Sequence, residues 1–142
     1  MTLHIDLHAI VANWTALAAK APGARAAAVV KADAYGLGAA KVAPALYDAG
    51  ARDFFVALAS EGRTLRPHLP DDARINVLSG HMEGADLTGL IPVLNSPEQF
   101  FCDRAMRPGK PFAIQLDTGM NRLGMEAAEW SSELCESLGD AA

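Results

Sequence analysis

The 142-residue sequence predicts an α/β fold built on a parallel sheet, and three observations carry that prediction. Five short apolar segments recur along the chain, at residues 26–30, 54–58, 75–78, 91–94 and 112–116. Each is nearly continuous in apolar character and too short for a helix, as strands are when both faces are buried. Helix-like segments fall before, between and after them, so successive strands run in one direction with right-handed crossovers. A doubly wound sheet and a (β/α) barrel both satisfy this rhythm. The close spacing suits the short connections of a barrel, of which a complete eight-unit example takes about 250 residues.

The elements follow in order. The opening "TLHIDL" reads as an additional strand ahead of the repeat. Residues 7–20 place Leu7, Ile10, Val11, Trp14 and Leu17 on one helical face, with Asp6 as the N-cap. Strand 26–30 runs directly into Lys31 and a glycine-bearing loop, "KADAYGLG". Residues 38–48 read as a helix despite Pro44 in its interior. Gly50 and Gly80 mark the ends of segments. "NSPEQFF" reads as a helix start, with Ser96 as cap, Pro97 in the first turn and Gln99 three residues after the cap. Residues 126–138 close the chain as one more helix with a solvated acidic face. Trp14 and Trp130 sit in helical patterns that suit core or interface packing.

Composition narrows the function classes. Hydrophobic residues make up 51% and charged residues 20%, a globular balance sufficient for one domain with a real core. Twelve basic against seventeen acidic side chains give a formal charge of −5, and no basic stripe stands out. Nucleic acid and membrane are therefore not expected as partners. The apolar runs are too short to span a bilayer, and Asp6 interrupts any secretory reading of the N-terminus, so the expected location is cytoplasmic. Cys102 and Cys135 lack metal or redox spacing and read as reduced thiols. His4, Asp6 and His8 alternate as metal ligands on a strand face might be arranged, but no further ligand lies near them in sequence, and no metal is expected. His68 and His81 fall in loops and read as solvated.

Two clusters carry the chemistry. Lys31 stands at the carboxyl end of a strand, the edge where ligands bind in either fold. Desolvated there, its amine becomes a nucleophile toward a carbonyl; snorkelling to solvent is the plain alternative. Asp33, Gly36 and Gly38 suit a turn, and Tyr35 suits packing as well as binding. The second cluster, "FAIQLDTGMNRLGM", again runs an apolar strand into a polar loop. Arg122 there suits a bidentate clamp on a carboxylate or phosphate, or an ion pair with Asp117.

These two stretches resemble the signatures of a known family. "AVVKADAYGLGA" is similar to the cofactor-attachment motif of the alanine racemases, fold-type III pyridoxal-phosphate enzymes, and "LDTGMNRLG" is similar to their second signature. "IDLHAIVANW" and "VLNSPEQ" resemble further family segments in the same order. The resemblance implies a partial (β/α)8 TIM-type barrel of about five βα units with parallel strands. It casts residues 1–142 as the N-terminal portion of the alanine racemase barrel domain, without the remaining barrel and the C-terminal β domain. It implies interconversion of L- and D-alanine for peptidoglycan, with serine or broader specificity, or a non-catalytic cofactor-binding or inert truncated product, as alternatives.

Residue by residue, the resemblance implies that Lys31 holds pyridoxal 5'-phosphate and acts as one of two bases, that Tyr35 contacts the cofactor phosphate, and that Arg122 contacts cofactor and substrate carboxylate. The second base, a tyrosine given across a homodimer interface, belongs to the portion beyond this chain. By the same reading the 142-residue chain alone is inactive. Where family members often carry a lysine, this chain has Gln115, which hydrogen-bonds but brings no charge to Arg122.

Overall fold

The computed structural model describes residues 3–129 and 131–139, so Trp130 lies outside the described residues. Five strands form one sheet: β1 (Ala28–Val29), β2 (Asp53–Val56), β3 (Arg74–Val77), β4 (Ile91–Leu94) and β5 (Ala113–Ile114). Every neighbouring pair is parallel, with Ala28 opposite Phe54, Phe54 opposite Ile75, Asn76 opposite Ile91 and Val93 opposite Ala113. The spatial order β1-β2-β3-β4-β5 is the order of the sequence. Each crossover thus steps one strand onward in a constant sense, as in a barrel wall. A doubly wound sheet instead reverses its strand order at a switch point.

Helix α1 (Leu7–Ala18) starts where Asp6 accepts hydrogen bonds from the His8 and Ala9 amides at 2.9 and 3.2 Å. That cap turns the chain straight into the helix, and residues 3–6 form no strand, contrary to the reading of "TLHIDL". Leu7, Ile10, Val11 and Trp14 pack on the core as the periodicity requires, while Leu17 is 66% exposed. Helix α3 (Ala39–Asp48) buries Val42, Ala43 and Leu46. It tolerates Pro44 because the carbonyl the proline cannot reach, four residues back at Ala40, belongs to an exposed residue. Helix α4 (Ala59–Leu65), continued by a 3-10 turn at Arg66–His68, has no counterpart in the sequence reading. Its Gly62 leaves room for Leu90, whose Cδ1 would lie 2.9 Å from any added Cβ.

Helix α5 (Pro97–Met106) begins as read, with Ser96 Oγ accepting the Gln99 amide at 3.3 Å. The closing helix is instead two pieces, a 3-10 turn at Ala127–Glu129 and α6 (Ser132–Gly139). Between β3 and β4 the strand–helix alternation breaks, since residues 78–90 contain no helix. A polar peg takes its place. His81 is 7% exposed, not solvated as its loop position suggested, and its Nδ1 lies 2.9 Å from Asp103 Oδ1 on α5. Arg107 donates to the same carboxylate at 2.8 Å and to the Leu90 carbonyl at 3.1 Å, so the loop is tied to α5 at two points. A carboxylate as buried as Asp103 survives only with partners of this kind.

The main core runs through Phe54, Val56, Ile75, Val77, Leu65 and Leu90, and a second cluster joins Leu94, Phe100, Met125 and Leu134. Each fully buried large side chain contributes about 1.5–3 kcal/mol. This packing fixes the sheet and so the height of its carboxyl edge.

Candidate functional site

Strand β1 ends as the Val30 amide donates to the Phe55 carbonyl at 2.9 Å. Lys31 then opens α2 (Lys31–Gly36), a short segment of unusual hand. Ala32, Asp33, Ala34 and Tyr35 all have φ between 50 and 55° and ψ between 37 and 49°, the left-handed region. For residues with a Cβ this costs roughly 1–2 kcal/mol each. Local bonds offset the cost. The Ala34 amide donates to the Val30 carbonyl at 2.9 Å, and the Gly38 amide to the Asp33 carbonyl at 2.9 Å. Asp33 Oδ1 accepts the Ala39 amide at 2.7 Å, which makes it the turn former the sequence suggested. The Ala32 amide donates to Glu61 Oε1 at 2.9 Å, a contact across 29 residues that sequence reasoning missed.

Lys31 is half-buried, and among the described residues its amine has no hydrogen-bond or ion-pair partner. Tyr35 is 64% exposed, which sets aside its packing alternative. Both lie on α2, directly after the carboxyl end of β1.

The second cluster is a closed loop on the same edge. Leu116 bridges Met125, the Met125 amide donates to the Gln115 carbonyl at 2.8 Å, and the Asp117 amide donates to the Met125 carbonyl at 2.9 Å. Inside the loop Asp117 Oδ1 accepts the Gly119 and Asn121 amides at 2.9 and 3.1 Å. Those backbone donors hold the Asp117 carboxyl below the usual carboxylate range. Gly124 closes the loop at φ 108°, where a Cβ would sit 2.8 Å from the Asp117 nitrogen. Because Asp117 is spent on backbone amides, it forms no ion pair with Arg122, which stays exposed. Gln115 Nε2 donates to the Leu123 carbonyl at 3.2 Å, next to Arg122 in the chain but not to its guanidinium.

The fold thus brings Lys31, Tyr35 and Arg122 to one edge, with Lys31 following β1 and Arg122 following β5 at opposite ends of the strand order. Among the described residues no hydrogen bond joins the three. An amine, a phenol and a guanidinium without other partners fit a ligand that offers a carbonyl and anionic groups. Among the described residues no group of acidic, His or Cys side chains is placed to hold a metal.

A one-directional parallel sheet whose carboxyl edge presents an unpaired lysine and arginine defines a β/α-barrel domain with its ligand edge exposed. The family pattern described as "Alanine racemase, N-terminal domain" matches residues 5–141, and the chain belongs to this family. It is 57% identical to an alanine racemase of Dinoroseobacter shibae over 92% of the chain, and 52% identical to one of Cereibacter sphaeroides over 96%. It spans about two fifths of those proteins, 39% and 41% of their lengths. A crystal structure of alanine racemase from Bartonella henselae with covalently bound pyridoxal phosphate is 43% identical and superposes with a TM-score of 0.80, covering 88% of this chain and 37% of that one.

Proposed function

We propose that this chain forms the lysine-bearing wall of a pyridoxal 5'-phosphate-dependent racemase that interconverts L- and D-alanine. The observation that carries the reading is Lys31, an unpaired amine held on a strained turn at the carboxyl end of β1. The relatives named alanine racemase and the Bartonella enzyme's covalent cofactor support it. When bound, pyridoxal phosphate supplies an electron sink for the carbanion at the substrate Cα.

This chain's residues then have defined tasks. Lys31 would hold the cofactor through its amine and would move a proton at the substrate Cα on one face. Tyr35 would donate a hydrogen bond from its hydroxyl to the phosphate. Arg122 directs its guanidinium at the substrate carboxylate. Proton exchange on the opposite face needs a second group, supplied by the rest of the full-length protein across a homodimer interface. We place the reaction in the cytoplasm, as a supply of D-alanine for peptidoglycan.

The test uses the full-length gene product that carries this chain. Borohydride reduction in the presence of pyridoxal phosphate should add the cofactor mass to the peptide containing Lys31. The same protein, unreduced, should racemise L-alanine. Mass on another lysine, or none, would remove the reading. Cofactor on Lys31 without turnover of alanine, serine or other amino acids would favour a binding module.

A further inference from the structure

Glu61 lies in the first turn of α4, and each of its oxygens serves a different segment. Oε2 accepts the Ala57 amide at 2.6 Å and the Leu58 amide at 3.2 Å, both just past the end of β2. Oε1 accepts the Ala32 amide at 2.9 Å. An acidic residue three positions after the N-cap commonly takes the cap amide, which explains Leu58. It does not explain Ala32. That amide belongs to the peptide bond leaving Lys31 and is the first of the left-handed turn, where no preceding carbonyl is placed to receive it. A carboxylate with three backbone donors is a strong, directional tie between the carboxyl ends of two adjacent strands.

We propose that Glu61 is a positioning residue for Lys31: by bridging the Ala32 amide to the Ala57 and Leu58 amides, it fastens the left-handed turn to β2 and fixes the direction in which the lysine leaves β1. The inference rests on the reading of Lys31 as the cofactor-holding residue. Its chemistry is indirect, because Glu61 sets the peptide plane that determines where the Lys31 side chain starts. Misplacement of a reacting group by about 1 Å can cost on the order of a hundredfold in rate. Glu61 also lines a cavity of about 300 Å3 with Val30, Asp33 and His68, so a variant of equal volume is the cleanest probe.

Glu61→Gln provides it in the full-length protein. A glutamine has one acceptor oxygen and one donor NH2, so it faces at least one of the three amides with the wrong group. Without cofactor, backbone hydrogen exchange over residues 31–38 should quicken at least about tenfold while exchange in β3 stays unchanged. With cofactor, borohydride capture at Lys31 should slow by a similar factor. For alanine, kcat should fall at least about tenfold with KM nearly constant, because substrate binding groups remain in place. Glu61→Asp, too short to span both segments, should behave alike and carries the test if the glutamine variant fails to fold. Wild-type exchange, capture and kcat in both variants would overturn the proposal. Loss of melting temperature with kcat unchanged would also overturn it, leaving Glu61 an ordinary cap. If the wild-type protein itself captures no cofactor at Lys31, the functional reading has failed and this inference goes with it.

Discussion

The two edges of the sheet are built on opposite plans. At the amino edge ion pairs and capped carbonyls anchor the starts of β2 and β3. Arg74 forks onto Asp53, its opposite number in the β2–β3 register, with bonds of 2.5 and 2.6 Å. Arg52 donates to the Tyr47 and Ala51 carbonyls at 2.8 Å each and lies over the Tyr47 ring. Arg66 caps the carbonyls of Ala73, Leu69 and Pro70. At the carboxyl edge Lys31 and Arg122 have no such partners, and the backbone is strained. Among the described residues, the non-glycine positions with positive φ are Ala32, Asp33, Ala34, Tyr35 and Asn121, all in the two loops of that edge. Backbone strain confined to the carboxyl-edge loops on one side, with ion pairs anchoring β2 and β3 on the other, separates the two edges.

The sharpest way to break this contrast is to exchange the consequences of losing one cation from each edge. In the full-length protein Lys31→Ala should lower alanine racemisation by about a thousandfold or more and abolish borohydride capture. Measured without cofactor, its melting temperature should stay nearly that of the wild type, since the free amine makes no stabilising bond. Arg74→Ala should do the reverse. A lost charge-assisted pair costs roughly 1.5–3 kcal/mol, discounted toward about 1 kcal/mol because the Arg74 side chain is 39% exposed. Capture at Lys31, measured at low temperature, should be that of the wild type. Thermal melts and capture rates on both variants decide the matter. A large stability loss in Lys31→Ala, or a catalytic loss in Arg74→Ala, would erase the distinction.

How much of this was legible in the sequence follows from the range of the forces involved. The strands were visible because continuous apolar runs need no knowledge of neighbours, and β4 falls at Ile91–Leu94 as read. The caps at Asp6 and Ser96 were visible because a cap bonds within three residues. Helix α4 was not, since its seven residues bury only Gly62 and Leu65 and give no periodic stripe. The burial of His81 depends on Asp103, 22 residues away, and the tie from Glu61 to Ala32 spans 29. With α4 itself unread, the role of Glu61 was not visible, and nothing local points to its bond with Ala32. The left-handed hand of α2 was equally hidden, because alanine and tyrosine disfavour it and aspartate visits it only as a single residue. Lys31, Tyr35 and Arg122 were singled out through their motifs, and the structure adds that they follow the carboxyl ends of β1 and β5 with no mutual hydrogen bond among the described residues.

Acid provides a second, milder probe, because each edge holds a carboxylate displaced downward from its usual range. At the amino edge the Arg74 hydrogen bond holds Asp53 low. At the carboxyl edge the Gly119 and Asn121 amides hold Asp117 low. A depressed carboxyl contributes stability that is fully present above its unfolded value and is lost as pH falls through the folded one. Both contributions are therefore complete at neutral pH and vanish below the ordinary carboxylate range. They should vanish in different places. Corrected for the acid slowing of intrinsic exchange, protection over residues 117–125 should fall on acidification in the wild type and lose that pH dependence in Asp117→Asn. Exchange at β2 and β3 should keep its own acid response in that variant and lose it in Asp53→Asn. A single response shared by both regions would mean the edges do not titrate separately.

The smallest effect separates the edges by sign alone. Ala32 sits at φ 50° on the carboxyl edge, where its Cβ crowds the backbone. Ala32→Gly removes that crowding, worth about 1 kcal/mol, and partly returns it through the greater freedom of the unfolded chain. The net expectation is a gain below about 1 kcal/mol. Ala73 precedes β3 on the amino edge, is 2% exposed and has no positive φ. There the same substitution relieves nothing, costs roughly 0.5–1 kcal/mol of backbone entropy and removes a buried methyl worth about 0.8 kcal/mol. Thermal melts of the two full-length variants should move in opposite directions, upward for Ala32→Gly and downward for Ala73→Gly. Equal downward shifts would mean that the left-handed turn carries no strain.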